Sequence, residues 1–193
     1  MKVERTKING VLMFTPEPHR DDRGYFSRTF DVDAWRDAGV DPTAFLQDSQ
    51  SRSRRGVVRG LHLRRGAGEA KLVRCSYGAV LDVVIDFRPE SSTYGQRETF
   101  DLDDQNLRSV YIPRGCLHGF QALTDPADIC YRIDAPHDPA EDVTIRYDDP
   151  SLAVPWPLPA ERVSQRDLDA PSLDEVLTEL GFPPLPPRGT GAA

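Results

Sequence analysis

The sequence predicts a mainly β protein, folded as a sandwich or barrel, and three observations carry that prediction. Short runs rich in branched and aromatic residues recur through the middle of the chain. Clusters of turn-forming residues separate them, and helical patterning is confined to two short stretches. At 193 residues the chain has the size of one domain with a substantial core.

Taken in order, the strand candidates are Val57–Leu63, Lys71–Tyr77, Ala79–Phe87, Gln96–Leu102, Ser109–Ile112, Ile129–Ala135 and Val143–Tyr147. Between them stand Gly66-Ala67-Gly68, Tyr77-Gly78, Pro89-Glu90-Ser91-Ser92, Asp103-Asp104 and Asp138-Pro139, each a turn signal. Ala79–Phe87 is nearly continuous apolar sequence interrupted by Asp82 and Asp86, which read best as hydrogen-bonded fold residues near a strand end. Asp33–Ala38 predicts a short helical turn ending at Gly39. Ser172-Leu173-Asp174-Glu175 is a capping-box pattern that opens a helix stopping at Gly181. Beyond it, Pro183-Pro184-Leu185-Pro186-Pro187 cannot continue a helix. Residues 1–182 are therefore expected to form the domain, with 183–193 a disordered Pro/Gly-rich tail.

A net charge of −7 and a pI near 5.1 argue against a nucleic-acid-binding surface, which would be basic. The cations are nonetheless mostly arginine, and Arg52, Arg54, Arg55, Arg59, Arg64, Arg65 and Arg74 gather in one region. Such a concentration in an acidic chain suits a small anion such as phosphate, although Arg52–Arg55 themselves read better as a solvated basic loop. Cys75, Cys116 and Cys130 fit reduced thiols in a cytoplasmic protein better than a disulfide framework. Met1–Phe14 lacks the apolar stretch of a signal peptide, and no segment approaches transmembrane length, so a soluble, cytoplasmic protein without membrane partners is expected.

Chemistry concentrates in Arg59-Gly60-Leu61-His62 and, nine residues after the histidine, Lys71-Leu72-Val73-Arg74. Both segments are strand-like, and an ionisable group on the inward face of a strand costs free energy unless it is paired or used. His62 alone could be a core histidine with one hydrogen bond. Lys71 favours a site, because a buried lysine needs a partner. Gly60 would let a ligand or a second backbone come close.

A β-barrel with one histidine-bearing strand and the second motif Pro113-Arg114-Gly115-Cys116-Leu117-His118-Gly119 resembles a cupin, which implies a jelly-roll barrel with short peripheral and C-terminal helices. Metal-binding cupins carry a second histidine two residues after the first; here that position is Arg64. Glu69 and His118 remain, and with an arginine among them they make a poor divalent site.

An ordered series of segments then resembles the nucleotide-sugar 3,5-epimerases that act on dTDP-4-keto-6-deoxyglucose on the way to dTDP-L-rhamnose. It runs through Asp22-Arg23-Gly24-Tyr25-Phe26, Gln47-Asp48, the His62 and Lys71 segments, and Asp82 to Arg88. It continues with Ser92-Thr93-Tyr94-Gly95, the His118 motif, Tyr131, Asp148-Asp149-Pro150, Trp156-Pro157 and Ser164 with Asp167. The resemblance implies a catalytic set of His62, Asp167, Tyr131 and Lys71, with no cofactor and no metal. Inverting a carbon beside a ketone needs a base, an enolate stabiliser and an acid on the other face, and these residue types meet those needs. Asp169 competes with Asp167 as partner of His62, but Asp167 fits the motif. Arg23 and Arg59 match phosphate contacts, and Gln47 and His118 match contacts to nucleotide or sugar. Phe26 matches a residue that packs on the base from a second subunit, which implies a homodimer.

The chain departs from the family pattern at four places. Arg28 stands where a base-contacting glutamate is usual, and Ser49 where asparagine is. Leu63-Arg64 replaces Tyr-Gln, and His137 replaces a tyrosine beside the sugar. Ser49, His137, Arg28 and Glu141 are carried as substrate-binding candidates. A cation at 28 cannot accept the thymine N–H, so base and sugar are the open questions. Two further readings stay open at this point: a metal-dependent cupin enzyme, such as a dioxygenase or isomerase, and a non-catalytic sugar-nucleotide binder.

Overall fold

The computed structural model describes residues 1–187. Its strands are, in chain order, β1 (Lys2–Arg5), β2 (Leu12–Thr15), β3 (His19–Asp21), β4 (Gly24–Phe26), β5 (Gln47–Ser53), β6 (Val58–Arg64) and β7 (Lys71–Tyr77). They continue with β8 (Ala79–Asp86), β9 (Arg97–Asp103), β10 (Ser109–Ile112), β11 (Cys116–Ala122), β12 (Ala127–Ile133) and β13 (Asp142–Thr144). The helices are α1 (Val32–Asp37), α2 (Gln165–Leu168) and α3 (Leu173–Leu180). One sheet has the order β1-β2-β10-β7-β12-β5 and the other β13-β6-β11-β8-β9, while β3 and β4 form a separate hairpin. Strand pairing is antiparallel throughout these sheets, the arrangement of a jelly roll.

Period-two alternation decides which residues meet between the sheets. Val73, Cys75, Val110, Ile112, Ala127 and Ile129 of the six-stranded sheet face Val80, Val84, Phe100, Leu102, Cys116, Phe120 and Ala122 of the other. Burying one such aliphatic or aromatic side chain stabilises by about 1.5–3 kcal/mol, which is why this end of the sandwich closes completely. The other end keeps polar groups inward, and the cavity opens there.

Two further apolar clusters seal the outer faces. Leu61, Leu63, Val83, Ile85 and Leu117 of the five-stranded sheet pack beneath Leu173, Val176 and Leu177 of α3. Ser172 caps α3 as its sequence predicts: its Oγ accepts from the Glu175 N–H, and Glu175 Oε2 accepts from the Ser172 N–H at 2.7 Å. Gly181 ends it in the left-handed conformation at φ 67°. On the opposite face Trp35 of α1 is fully buried and stacks on Phe14 at 4.6 Å.

Sequence-expected boundaries shift by a residue or two at most strands, and Val143–Tyr147 narrows to β13, Asp142–Thr144. Of the stretch expected as a tail, residues 183–187 are described, and they rest on the body. Tyr94 Oη donates to the Pro183 carbonyl at 2.7 Å, and Leu185 packs on the α3 cluster. Residues 188–193 of that expected tail lie outside the described residues.

Candidate active site

His62 and Lys71, close in sequence, come from opposite sheets. His62 lies on β6, where Leu61 and Leu63 point to the α3 side and His62 and Arg64 point inward. Lys71 lies on β7, in phase with the inward Val73 and Cys75. The two therefore face one another across the open end of the sandwich. They line a cavity of about 190 Å³ together with Arg59, His118, Phe120, Tyr131 and Ile133.

Arg59 reaches the same face as His62, although the two are three positions apart with only Gly60 and Leu61 between them. Strand alternation alone would set them on opposite faces. The β6–β11 ladder pairs His118 with His62 but Phe120 with Arg59, so an irregularity at this point restores the phase. Two glycines make it possible. A Cβ on Gly60, at φ 132°, would sit 2.6 Å from the Gly119 Cα, and one on Gly119 would sit 2.9 Å from the Arg59 carbonyl. The close approach expected at Gly60 is thus made by a second backbone.

His62 Nε2 lies 2.7 Å from Asp167 Oδ1, and Asp167 is delivered by a returning segment. The Val58 N–H donates to the Arg162 carbonyl, and Val57 pairs with Arg162 in a parallel bridge. Ser164 then caps α2, its Oγ accepting from the Asp167 N–H at 3.2 Å. Burial pushes the Asp167 carboxyl up, but the bond and charge of His62, the Ser164 hydroxyl and the Gly60 N–H outweigh it and hold its pKa below the usual 3.8. Asp169, the rival carboxylate, instead accepts from the Gln165 side chain.

Tyr131 enters from β12, directly opposite Val73 on one side and Ser49 on the other. Burial pushes its phenol pKa well above 10, only partly offset by the bond to Ser51 Oγ at 3.3 Å. Gln47, Ser49 and Ser51 alternate inward along β5, beside Ile133, Tyr131 and Ile129. Arg59 donates from Nε to Ser53 Oγ at 3.1 Å.

His118 is buried, with Nε2 2.7 Å from Asp82 Oδ2. Asp82 is thus hydrogen-bonded as its sequence reading expects, but in the middle of β8 rather than near a strand end; Asp86 ends β8, bound by Arg88, Ser91 and Thr93. The signal for Asp82 was its phase with Val80 and Val84, since a carboxylate in an inward row requires a partner.

Lys71 Nζ makes an ion pair with Glu69 Oε1 at 2.8 Å, and Glu69 Oε2 lies 2.8 Å from Nη1 of the buried Arg64. His62, Glu69 and His118, the three metal-ligand candidates, are thus each engaged by a different protein group. Among the described residues no group of three or more His, Cys, Asp or Glu is placed to hold a metal ion.

Other candidates lie apart. Arg23 and Phe26 stand on the β3–β4 hairpin, where Arg23 pairs with Asp21 and Phe26 is 71% exposed. Arg28 pairs with Asp31, the capping carboxylate of α1, at 2.6 Å. His137 is exposed and meets Arg64 through Nδ1 at 3.3 Å, and the Glu141 carboxylate sits beside Gly66. The arginine cluster divides: Arg52 binds Asp128 on the outer face, Arg65 binds Glu179, Arg74 lines a separate outer hollow, and Arg59 alone lines the cavity.

The chain matches the family model for dTDP-4-dehydrorhamnose 3,5-epimerase over residues 5–175. It is 42% identical to a dTDP-4-dehydrorhamnose 3-epimerase of Streptomyces niveus, covering 91% of this chain and 86% of that one. The crystal structure of NovW, a 4-keto-6-deoxy sugar epimerase from the novobiocin biosynthetic gene cluster of Streptomyces spheroides, superposes with a TM-score of 0.88 at 41% identity, covering 96% of this chain and 93% of that one. The 3,5-epimerase of Legionella pneumophila Philadelphia 1, solved with dTDP-4-keto-L-rhamnose, gives 0.86 at 34% identity, covering 98% and 99%.

Proposed function

The chain belongs to the dTDP-4-dehydrorhamnose 3,5-epimerase family, and from that membership we propose that it is an isomerase acting on a dTDP-linked 4-keto-6-deoxyhexose in deoxysugar biosynthesis. It inverts C3, C5 or both. The observation that carries this reading is the cavity in which His62, paired with the buried Asp167, faces Lys71 and Tyr131 from the opposite sheet.

In this reading the imidazole of His62, oriented by Asp167, takes the proton on the carbon beside the ketone. The C–H electron pair moves into the ring, and the C4 carbonyl oxygen becomes an enolate oxygen. The Lys71 ammonium stabilises that charge. Tyr131 returns a proton to the opposite face, and solvent restores the tyrosinate and imidazolium. A phenol pushed up by burial stays protonated until the enolate calls on it, which suits an acid.

Arg59 binds the diphosphate from within the cavity. Gln47, Ser49 and His118 bind nucleotide or sugar, and His137 and Glu141 border the sugar end. Arg23, Phe26 and Arg28 serve the nucleotide of a second subunit, so the working form is a homodimer. The exposed Tyr25 and Phe26 on a hairpin outside both sheets support this arrangement. The guanidinium of Arg28 donates to a base carbonyl but accepts from no ring N–H. Free thiols at Cys75, Cys116 and Cys130 suit the cytoplasm; among the described residues no helix is long and apolar enough to cross a membrane.

Solvent deuterium entry into dTDP-4-keto-6-deoxyglucose, read at C3 and C5 separately by NMR, tests the reading. Exchange with inversion at one or both carbons is expected, and absence of exchange at both would overturn it.

A further inference from the structure

Glu69 poses a problem for a lysine that has to stabilise an anion. Its carboxylate is buried and holds Lys71 Nζ at 2.8 Å, and the lysine is itself only 14% exposed. A pair this close and this little screened is nearly neutral from a substrate's distance.

Arg64 alters that balance. It lies on β6, two residues after His62, with 7% of its side chain exposed, and its Nη1 stands 2.8 Å from the second oxygen of Glu69. Glu69 is therefore one carboxylate between two cations, and the trio keeps one positive charge in excess. Arg64 is fixed from three more directions: Nη1 donates to the Pro136 carbonyl at 2.6 Å, and Nη2 meets His137 Nδ1 at 3.3 Å and Asp142 Oδ1 at 3.5 Å. Asp142 does not cancel it, because its other oxygen accepts from Arg166 at 3.2 Å, and Arg166 precedes Asp167 on α2. An alternating row of charges thus runs from Lys71 through Glu69, Arg64 and Asp142 to the helix that orients His62.

We propose that Arg64 is a positioning residue of the reaction: by sharing Glu69 it leaves Lys71 with positive charge uncompensated at the developing oxyanion. The proposal rests on the reading of Lys71 as the enolate stabiliser. Its effect falls on the transition state, where the oxygen gains charge, more than on substrate binding.

Three variants test it, each checked for native circular dichroism. Arg64→Gln should lower kcat by roughly 30-fold or more while KM stays within about threefold, the signature of an interaction made in the transition state. Arg64→Gln with Glu69→Gln removes the surplus carboxylate along with the arginine and should recover about tenfold of that loss. A merely structural arginine predicts the reverse, since the double variant loses more buried contacts than the single. Native kcat in Arg64→Gln, or a folded double variant no faster than the single, overturns the proposal. Should Arg64→Gln not fold, the folded double variant decides: substantial kcat supports the charge argument, and loss comparable to Lys71→Met overturns it. Lys71→Met separates the layers. Native kcat there removes the reading of Lys71, whereas an inactive Lys71→Met beside a native Arg64→Gln removes only the role of Arg64.

Discussion

His62 and His118 are direct partners across the β6–β11 ladder, yet each imidazole is held by its own carboxylate, Asp167 for one and Asp82 for the other, both at 2.7 Å. Their exposures differ: 36% of the His62 side chain is accessible against 6% for His118. The same chemical pair is therefore open to solvent at one position and sealed into the wall at the other.

That difference predicts separable outcomes. His62→Ala and Asp167→Asn should each lower deuterium exchange at C3 and C5 by about 10²- to 10⁴-fold with the fold retained. Asp82→Ala should unfold more readily, because it leaves the buried His118 imidazole without its partner at a cost of about 1–3 kcal/mol. Thermal melts alongside the exchange assay check both. Full exchange in His62→Ala would remove the base assignment.

Tyr131→Phe should divide proton removal from inversion. The base is untouched, so deuterium still enters, while product of inverted configuration falls by about 10²-fold. Inversion at the native rate would exclude Tyr131 as the acid.

Acid sensitivity follows from Asp167. Its pKa in the fold is lowered, so its contribution to stability is fully present above the ordinary carboxylate value of 3.8 and is lost as pH falls through the lowered one. Asp86, held down by Arg88, Ser91 and Thr93 against its burial, behaves alike. Urea titrations should show Asp167→Asn losing less stability than the native protein as pH falls below about 4. Parallel losses in the two proteins would contradict the shift.

Gly60→Ala should prevent folding or cost about 3 kcal/mol or more, since its Cβ meets backbone and its φ of 132° is strained for any L side chain. A melting temperature within a few degrees of native would show that β6 and β11 can separate there.

A homodimer with composite sites predicts complementation. His62→Ala and Phe26→Ala, each weak alone, should recover about one quarter of native activity after subunits are mixed and re-associated, because half the dimers then carry one intact site. No gain on mixing would place Phe26 and His62 in sites of the same subunit, or place Phe26 outside the site.

Much of this site is legible in the sequence, and the exceptions have physical causes. Helix α3 announced itself through Ser172, Glu175 and Gly181, whose conformational roles are local. β5 did not, because Gln47-Asp48-Ser49-Gln50-Ser51-Arg52-Ser53 contains no apolar residue to alternate; it becomes a strand by pairing with β12. β3 and β4 are exposed along their whole length and so lack a buried face to read. Lys71 and His62 could be chosen as site residues, but their placement on opposite sheets is a property of topology. The shared face of Arg59 and His62 depends on a ladder irregularity that periodicity cannot foresee. Glu69 reads in the sequence as a remnant metal ligand and Arg64 as the cation that spoils the site, and their actual partners, Lys71 and each other, require the fold.

The return of the chain past Arg162 also sets an order of events during synthesis. His62, Lys71 and Tyr131 leave the ribosome well before Ser164 and Asp167, and the strands that carry them can pair first. Until the segment from Arg162 to Asp167 arrives, the cavity holds His62 without its carboxylate partner. The nascent protein thus has its cavity walls before it has the His62–Asp167 pair, and emergence of the Ser164–Asp167 segment is the step that assembles that pair.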